Sequence, residues 1–269
     1  MPVRIAICAP ATPITPEDIA RAQAVAARFP GVELHVHPQC LAVEGHFAGS
    51  DETRLAAFLD CANDPAFDAV WFARGGYGSN RIAGQAMTGL TLAARHKAYL
   101  GYSDMGYLLG ALYREKIGRS AHGPMVADGR RAGGEQALER ALGWFAGGQE
   151  GLEPSLDARP TVAFNLTTLA MMAGTPLMPG LAGHVVMVEE VNEYLYAIDR
   201  LFFHATAHLA GIAGLRLGRV SDVPENERDF GASPEDIARD WCGRHAIPFL
   251  GGAEIGHDVG NRIVPFGRR

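Results

Sequence analysis

The stretch Ala98-Tyr99-Leu100-Gly101-Tyr102-Ser103-Asp104-Met105-Gly106 decides how the chain is read. An apolar run with strand character breaks at Gly101, and a helical pattern begins just beyond it. A serine at such a turn is committed neither to core packing nor to pairing along a helix face. Ser103 is therefore a candidate nucleophile, provided the chain also supplies a general base and donors for an oxyanion. Gly101 stands two places before it, but Met105 stands two places after it and Gly106 comes one residue late. The segment is thus not a Gly-x-Ser-x-Gly elbow, and an ordinary turn or helix-cap serine is the competing reading. Asp104 can orient the turn or cap the helix.

The same strand–turn–helix order repeats outward from this segment. Arg4–Ala9 reads as a strand, followed by Thr15-Pro16-Glu17-Asp18, which has an N-cap, a first-turn proline and acidic residues where a helix begins. Ile19, Ala22, Ala26 and Phe29 form that helix's buried stripe. Val32–Val36 is a second strand. Ser50 caps a helix with Leu55, Phe58, Leu59 and Ala62 inward. Phe67–Phe72 is apolar enough for a central strand and runs into Arg74-Gly75-Gly76-Tyr77-Gly78. This repetition predicts parallel strands with helices on both faces, and ligands at the strands' carboxyl ends.

After a helix around Glu135–Phe145, the Gly-, Pro- and acid-rich stretch from Gly147 reads as a linker. The division is an N-terminal domain over 1–147, a linker over 148–160 and a C-terminal domain over 161–269. The second unit is expected to hold a helix over Leu166–Met172, a strand over His184–Val188 and a helix around Tyr194–His208. A strand over Leu215–Val220, an exposed excursion over Ser221–Ser233 and a Ser233-capped helix to Cys242 follow. Ile247–Leu250 and Ile263–Phe266 read as further strand-like segments.

The 269 residues carry a formal charge of −6 without a Lys/Arg stripe, which argues against a nucleic-acid partner. No run reaches the length of a membrane span, and the first residues lack the pattern of a secretion signal. Cys8, Cys40, Cys61 and Cys242 are scattered, without the spacing of a zinc site or a disulfide scaffold. A reducing cytoplasm fits these features.

Several other residues are candidates for chemistry. The glycines after the third strand permit close backbone approach, and the N–H groups near Gly76 and Tyr77 can receive an oxyanion; a plain tight turn is the alternative. Arg74 and Arg81 flank that turn and can clamp a substrate carboxylate or form surface ion pairs. Glu189 ends the apolar run Val185–Val188 and can orient a histidine, although loop carboxylates are commonly only solvated. His257, after Gly256 in a polar turn, is the best-placed general base. His204 and His208 share a helix face without an intervening glutamate, and His35 and His37 share a sheet face; packing competes with metal ligation at both. His122-Gly123-Pro124-Met125 marks a turn to which local physics assigns no role.

Taken in order, these blocks resemble the LD-carboxypeptidase family of serine peptidases, which includes the microcin-immunity branch. The resemblance rests on Arg74–Gly78, Gly101–Asp104, His122–Met125, Val188–Glu190 with Tyr196-x-Ile198-Asp199-Arg200, and Gly256-His257. It implies Ser103 as nucleophile, Glu189 as the acidic triad member and His257 as base, with oxyanion donors near Gly76 and Tyr77; acyl transfer to water by these groups is expected to need no cofactor or metal. It also implies an N-terminal α/β domain, a smaller β-rich α+β domain, a site between them and a homodimer. Family members typically cut an L-to-D bond to release terminal D-alanine from a muropeptide tetrapeptide during cell-wall recycling. The immunity branch hydrolyses a peptide–nucleotide conjugate. Two departures stand out. Phe164 occupies a position where the family commonly has glycine, which predicts altered substrate contacts, and the chain stops at Arg269 where members continue through another short strand. A noncatalytic ligand-binding protein and a histidine–metal hydrolase are the competing classes.

Overall fold

The computed structural model describes residues 2–267. Met1 and Arg268-Arg269, at the outer ends of the first and last strand readings, lie outside the described residues. The elements run β1 (Val3–Cys8), α1 (Pro16–Ala26), β2 (Val32–Val36), α2 (Asp51–Asn63), β3 (Ala69–Phe72), α3 (Ser79–Gly89), β4 (Ala98–Gly101), α4 (Gly106–Arg114), β5 (Arg119–His122) and α5 (Gly134–Phe145). Then follow β6 (Thr161–Asn165), α6 (Leu166–Met172), β7 (Val185–Val191), α7 (Leu195–Ala207), β8 (Gly214–Ser221), α8 (Pro234–Arg244), β9 (Phe249–Gly252) and β10 (Val264–Pro265).

The first sheet has the order β10-β5-β4-β3-β1-β2, with β1 to β5 parallel and β10 antiparallel to β5. Alternation along each strand loads both faces. Ile5, Ile7, Ala69 and Trp71 pack with residues of α1 and α5, whereas Ala6, Cys8, Val70 and Phe72 pack with α2, α3 and α4. The second, smaller unit is a four-stranded parallel sheet, β6-β7-β8-β9, with α6, α7 and α8. Its strands alternate with helices.

Helix starts follow local chemistry. Thr15 and Ser233 complete capping boxes with Asp18 and Asp236, each followed by a first-turn proline, and Ser50 accepts from the Thr53 amide. All four cysteines are free and buried. Among the described residues no group of three or more His, Cys, Asp or Glu side chains is arranged to hold a metal, and no helix is long and apolar enough to cross a membrane.

The two units share one core. Leu108 and Leu112 of α4 belong to the same buried cluster as Phe164, Leu169 and Met172 of the second unit. Close approach depends on Gly106 and Gly110. A Cβ at Gly106 would lie 2.8 Å from Thr168 Cγ2, and one at Gly110 would lie 2.8 Å from Met172 Sδ. Phe164 is buried in this seam, its ring 5.2 Å from that of Phe266. It therefore packs between the units and does not face the cavity described below, contrary to the expectation of altered substrate contacts.

The connection near 147–160 is docked, not loose. Glu153 is 2% exposed, and its carboxylate accepts from the Ser155 amide and hydroxyl and from the Glu254 amide. Leu152 bridges to Ile263.

Candidate active site

Three loops at the carboxyl ends of β3, β4 and β5 meet the Gly256-His257 turn around a cavity of about 240 Å³. Arg74, Gly75 and Gly76 come from the first loop, Tyr102 and Ser103 from the second, and Met125, Ala127, Asp128, Arg130 and Arg131 from the third. His257 enters from the second unit.

Ser103 has φ 59°, a left-handed conformation that L-residues adopt at a cost of about 1 kcal/mol. The turn lifts its side chain off the sheet against Gly75. A Cβ on Gly75 would lie 3.2 Å from Ser103 Oγ, a tight contact that would press on the hydroxyl. Gly76 has φ 99° and faces Thr12, whose hydroxyl donates to the Gly75 carbonyl at 2.7 Å.

Asp104 is buried, and its carboxylate accepts from the Gly78 and Ser79 amides at 3.2 and 2.9 Å. Ser79 Oγ donates back to the Asp104 carbonyl at 2.6 Å. Burial raises the Asp104 pKa, opposed by those amide bonds. Asp104 thus ties the serine turn to the start of α3, and the amides of Gly76 and Tyr77 have no acceptor among the described residues. Tyr77 is 48% exposed, packs near His46 and Phe47, and is not part of the cavity wall.

Glu189 lies in β7, whose apolar neighbours take it fully out of solvent. Its Oε2 accepts from His257 Nδ1 at 2.5 Å. Burial alone would lower the imidazole's proton affinity; the Glu189 hydrogen bond and charge, with Glu190 and Asp128, outweigh it and hold His257 above its ordinary pKa. Glu190 has a separate task. Its oxygens accept from Asn165 Nδ2, the Val191 amide, and the Thr167 amide and hydroxyl, which fixes the start of α6. Among the described residues no hydrogen bond joins Ser103 Oγ to His257, although both line the one cavity.

The cavity is cationic. Arg130 pairs with the buried Asp18 carboxylate, and Arg131 reaches Asp128 at 3.3 Å. Arg74 contacts the Pro13 carbonyl and has no carboxylate partner among the described residues. Arg81 is directed elsewhere. Its guanidinium binds Asp51 at 2.8–3.0 Å and lies over the Phe47 ring, outside the cavity wall.

Four contributors escape a reading of the sequence alone: Tyr102, Asp128, Arg130 and Arg131. Tyr102 donates to Asp128 at 2.8 Å, and its ring lies 4.8 Å from that of His257. The usable signal was position, because Asp128-Gly129-Arg130-Arg131 follows the turn at a strand's carboxyl end.

Family models agree with this architecture. Residues 5–123 match the LD-carboxypeptidase N-terminal domain and residues 160–269 match the LD-carboxypeptidase C-terminal domain. The chain belongs to the LD-carboxypeptidase family. This family member is 28% identical to the murein tetrapeptide carboxypeptidase of Pseudomonas aeruginosa, over 98% of this chain and 91% of that protein. It is 31% identical to a protein named as a carboxypeptidase in Streptomyces coelicolor, over 98% and 88%. The muramoyltetrapeptide carboxypeptidase of Oxalobacter formigenes superposes with a TM-score of 0.80 at 26% identity, covering 97% of this chain and 93% of that one. The microcin C7 self immunity protein shares the fold, with a TM-score of 0.78 at 17% identity over 98% and 91%. As a member of this peptidase family, the LD-carboxypeptidase homologue is an enzyme.

Proposed function

We propose that the enzyme is a serine carboxypeptidase that releases a terminal D-amino acid, D-alanine in a muropeptide tetrapeptide, by cutting an L-to-D peptide bond. The observation that carries this reading is the Glu189–His257 pair, whose imidazole lines the same cavity as a serine held at positive φ. Glu189 occupies Nδ1 and leaves Nε2 to take the Ser103 proton when substrate closes the gap between hydroxyl and imidazole. Ser103 Oγ forms a bond to the carbonyl carbon, and charge moves onto the carbonyl oxygen. Amides near Gly76, Tyr77 and Asp104 supply the donors. The protonated imidazole then gives its proton to the departing amine as the C–N bond breaks. Water, deprotonated by the same nitrogen, releases the acyl group from Ser103. Among the described residues of the cavity wall, Arg74 is the guanidinium without a carboxylate partner, and it takes the substrate's terminal carboxylate, which confines cleavage to the chain end.

The working division is a nucleophile unit over 1–147, a connection over 148–160 and an acid/base unit over 161–269. The four free cysteines support a reading of cytoplasmic action, the family resemblance supports a homodimer, and light scattering tests the second. The deciding experiment incubates purified enzyme with a panel of tetrapeptide muropeptides and a peptide–nucleotide conjugate, with Ser103→Ala as control. Mass spectrometry should show loss of one D-alanine from the tetrapeptide only with the intact serine. Turnover of the conjugate alone moves the enzyme to the immunity type, and undiminished turnover by Ser103→Ala ends the serine reading.

A further inference from the structure

Ser103 and its turn belong to the first unit, whereas Glu189 and His257 belong to the second. Asn261, four positions beyond His257, is 1% exposed. Its Oδ1 accepts from the Gly256 amide at 3.2 Å and lies 3.0 Å from His122 Nε2. An amide oxygen only accepts, and the Gly256 N–H fixes which end of the Asn261 side chain faces inward. His122 Nε2 therefore carries the proton and donates. His122 ends β5, in register with Gly101 of β4, two residues before Ser103. One side-chain oxygen thus joins the strand beside the nucleophile turn to the residue before His257.

Other contacts converge on the same loop. Arg140 of α5 donates to the Val259 and Asn261 carbonyls at 2.9 and 3.0 Å, and Val264 pairs with His122. The Tyr102 ring packs against both imidazoles, its centroid 5.5 Å from that of His122 and 4.8 Å from that of His257.

We propose that His122 and Asn261 are positioning residues: the hydrogen bonds from His122 and Gly256 to Asn261 Oδ1 latch the His257 loop to the carboxyl end of β5 and set the imidazole in register with Ser103. The proposal rests on the triad reading above. The latch does not open with pH, because burial holds the His122 imidazole down to about 3 and the ring stays neutral. His122 passes no proton to substrate.

Volume-matched variants test this. His122→Phe keeps a ring and removes the donor, His122→Gln keeps a nitrogen donor near the same place, and Asn261→Leu removes the acceptor. Fluorophosphonate labelling of Ser103 should slow by about 10- to 100-fold in His122→Phe and Asn261→Leu, as expected for a displaced catalytic group, and by less than about threefold in His122→Gln. With a muropeptide, kcat should fall in parallel while KM stays within about threefold, because neither substituted residue lines the cavity and Arg74 is untouched. NMR should find the low-field His257 Nδ1–H resonance in wild type and His122→Gln, and find it broadened or absent in His122→Phe. Labelling of His122→Phe at the wild-type rate overturns the latch, as does a Gln variant as slow as the Phe variant. If Ser103→Ala turns over the muropeptide undiminished, the triad reading fails, and the resonance comparison alone decides the latch.

Discussion

His257 Nδ1 donates to Glu189 Oε2 across 2.5 Å, from an imidazole 11% exposed to a carboxylate with no exposure. The bond spans two elements of the second unit, β7 and the turn before β10, and commits one ring nitrogen permanently. Only Nε2 remains to exchange protons with a hydroxyl, so the pair sets both tautomer and working pH.

A base must be neutral to act, and His257 is held above its ordinary value of 6.5. Activity should therefore rise with pH, and the acidic limb of kcat/KM should have its midpoint above 6.5. The linked stability runs the other way. It is complete below the unfolded-state pKa and is lost as pH rises through the folded value. A pH–rate profile and a pH series of melting curves check both; an acidic limb below 6.5 contradicts the assignment. Glu189→Gln removes the main group raising the imidazole pKa and leaves burial, so its limb should move below wild type while kcat falls by about 10³- to 10⁴-fold.

The strain at Ser103 separates chemistry from stability. Ser103→Ala should abolish turnover at little thermal cost. Ser103→Gly should abolish turnover yet melt no lower than Ser103→Ala, because glycine accepts φ 59° and relieves about 1 kcal/mol of strain, offset in part by its larger unfolded-state entropy. A glycine variant that melts well below the alanine variant places the strain elsewhere.

Gly75→Ala tests the room left for the hydroxyl. The added methyl would sit 3.1 Å from Ser103 Cβ and 3.3 Å from Met125 Cε. Fluorophosphonate labelling should slow by at least about tenfold through misplacement of the nucleophile, while circular dichroism stays native. An unchanged labelling rate means that Ser103 moves freely.

The two arginines beside the glycine turn should behave differently. Arg74→Ala should raise KM by about 10- to 100-fold through loss of a charge-assisted contact to the substrate carboxylate. Arg81→Ala should change KM by less than about twofold, since its guanidinium is engaged by Asp51. Equal effects in a Michaelis–Menten comparison remove the carboxylate role from Arg74.

Local features of the fold were readable from the chain. Thr15, Ser50 and Ser233 announce helix starts because a cap depends on a few adjacent residues, and the continuous apolar runs of β1 and β3 report burial on both faces. Ser103, Glu189 and His257 were found as strand-end and turn residues, and the order of the family blocks grouped them. What stayed hidden depends on distant partners. Phe164 resembles a substrate residue until Gly106 and Gly110 of α4 receive it in the seam between units. Arg81 resembles a carboxylate clamp until Asp51 takes it. Arg130 and Asp128 gain meaning only when Asp18 and Tyr102 are brought beside them.

The antiparallel strand β10 gives the molecule a consequence for biosynthesis. β5 is flanked on one side by a segment made long after it, so a nascent nucleophile domain would carry a bare strand edge while the rest of the chain is synthesised. Such an edge invites pairing with foreign strands. A fragment truncated before β10 should consequently associate or require chaperone shelter, whereas the full chain seals that border with its own residues.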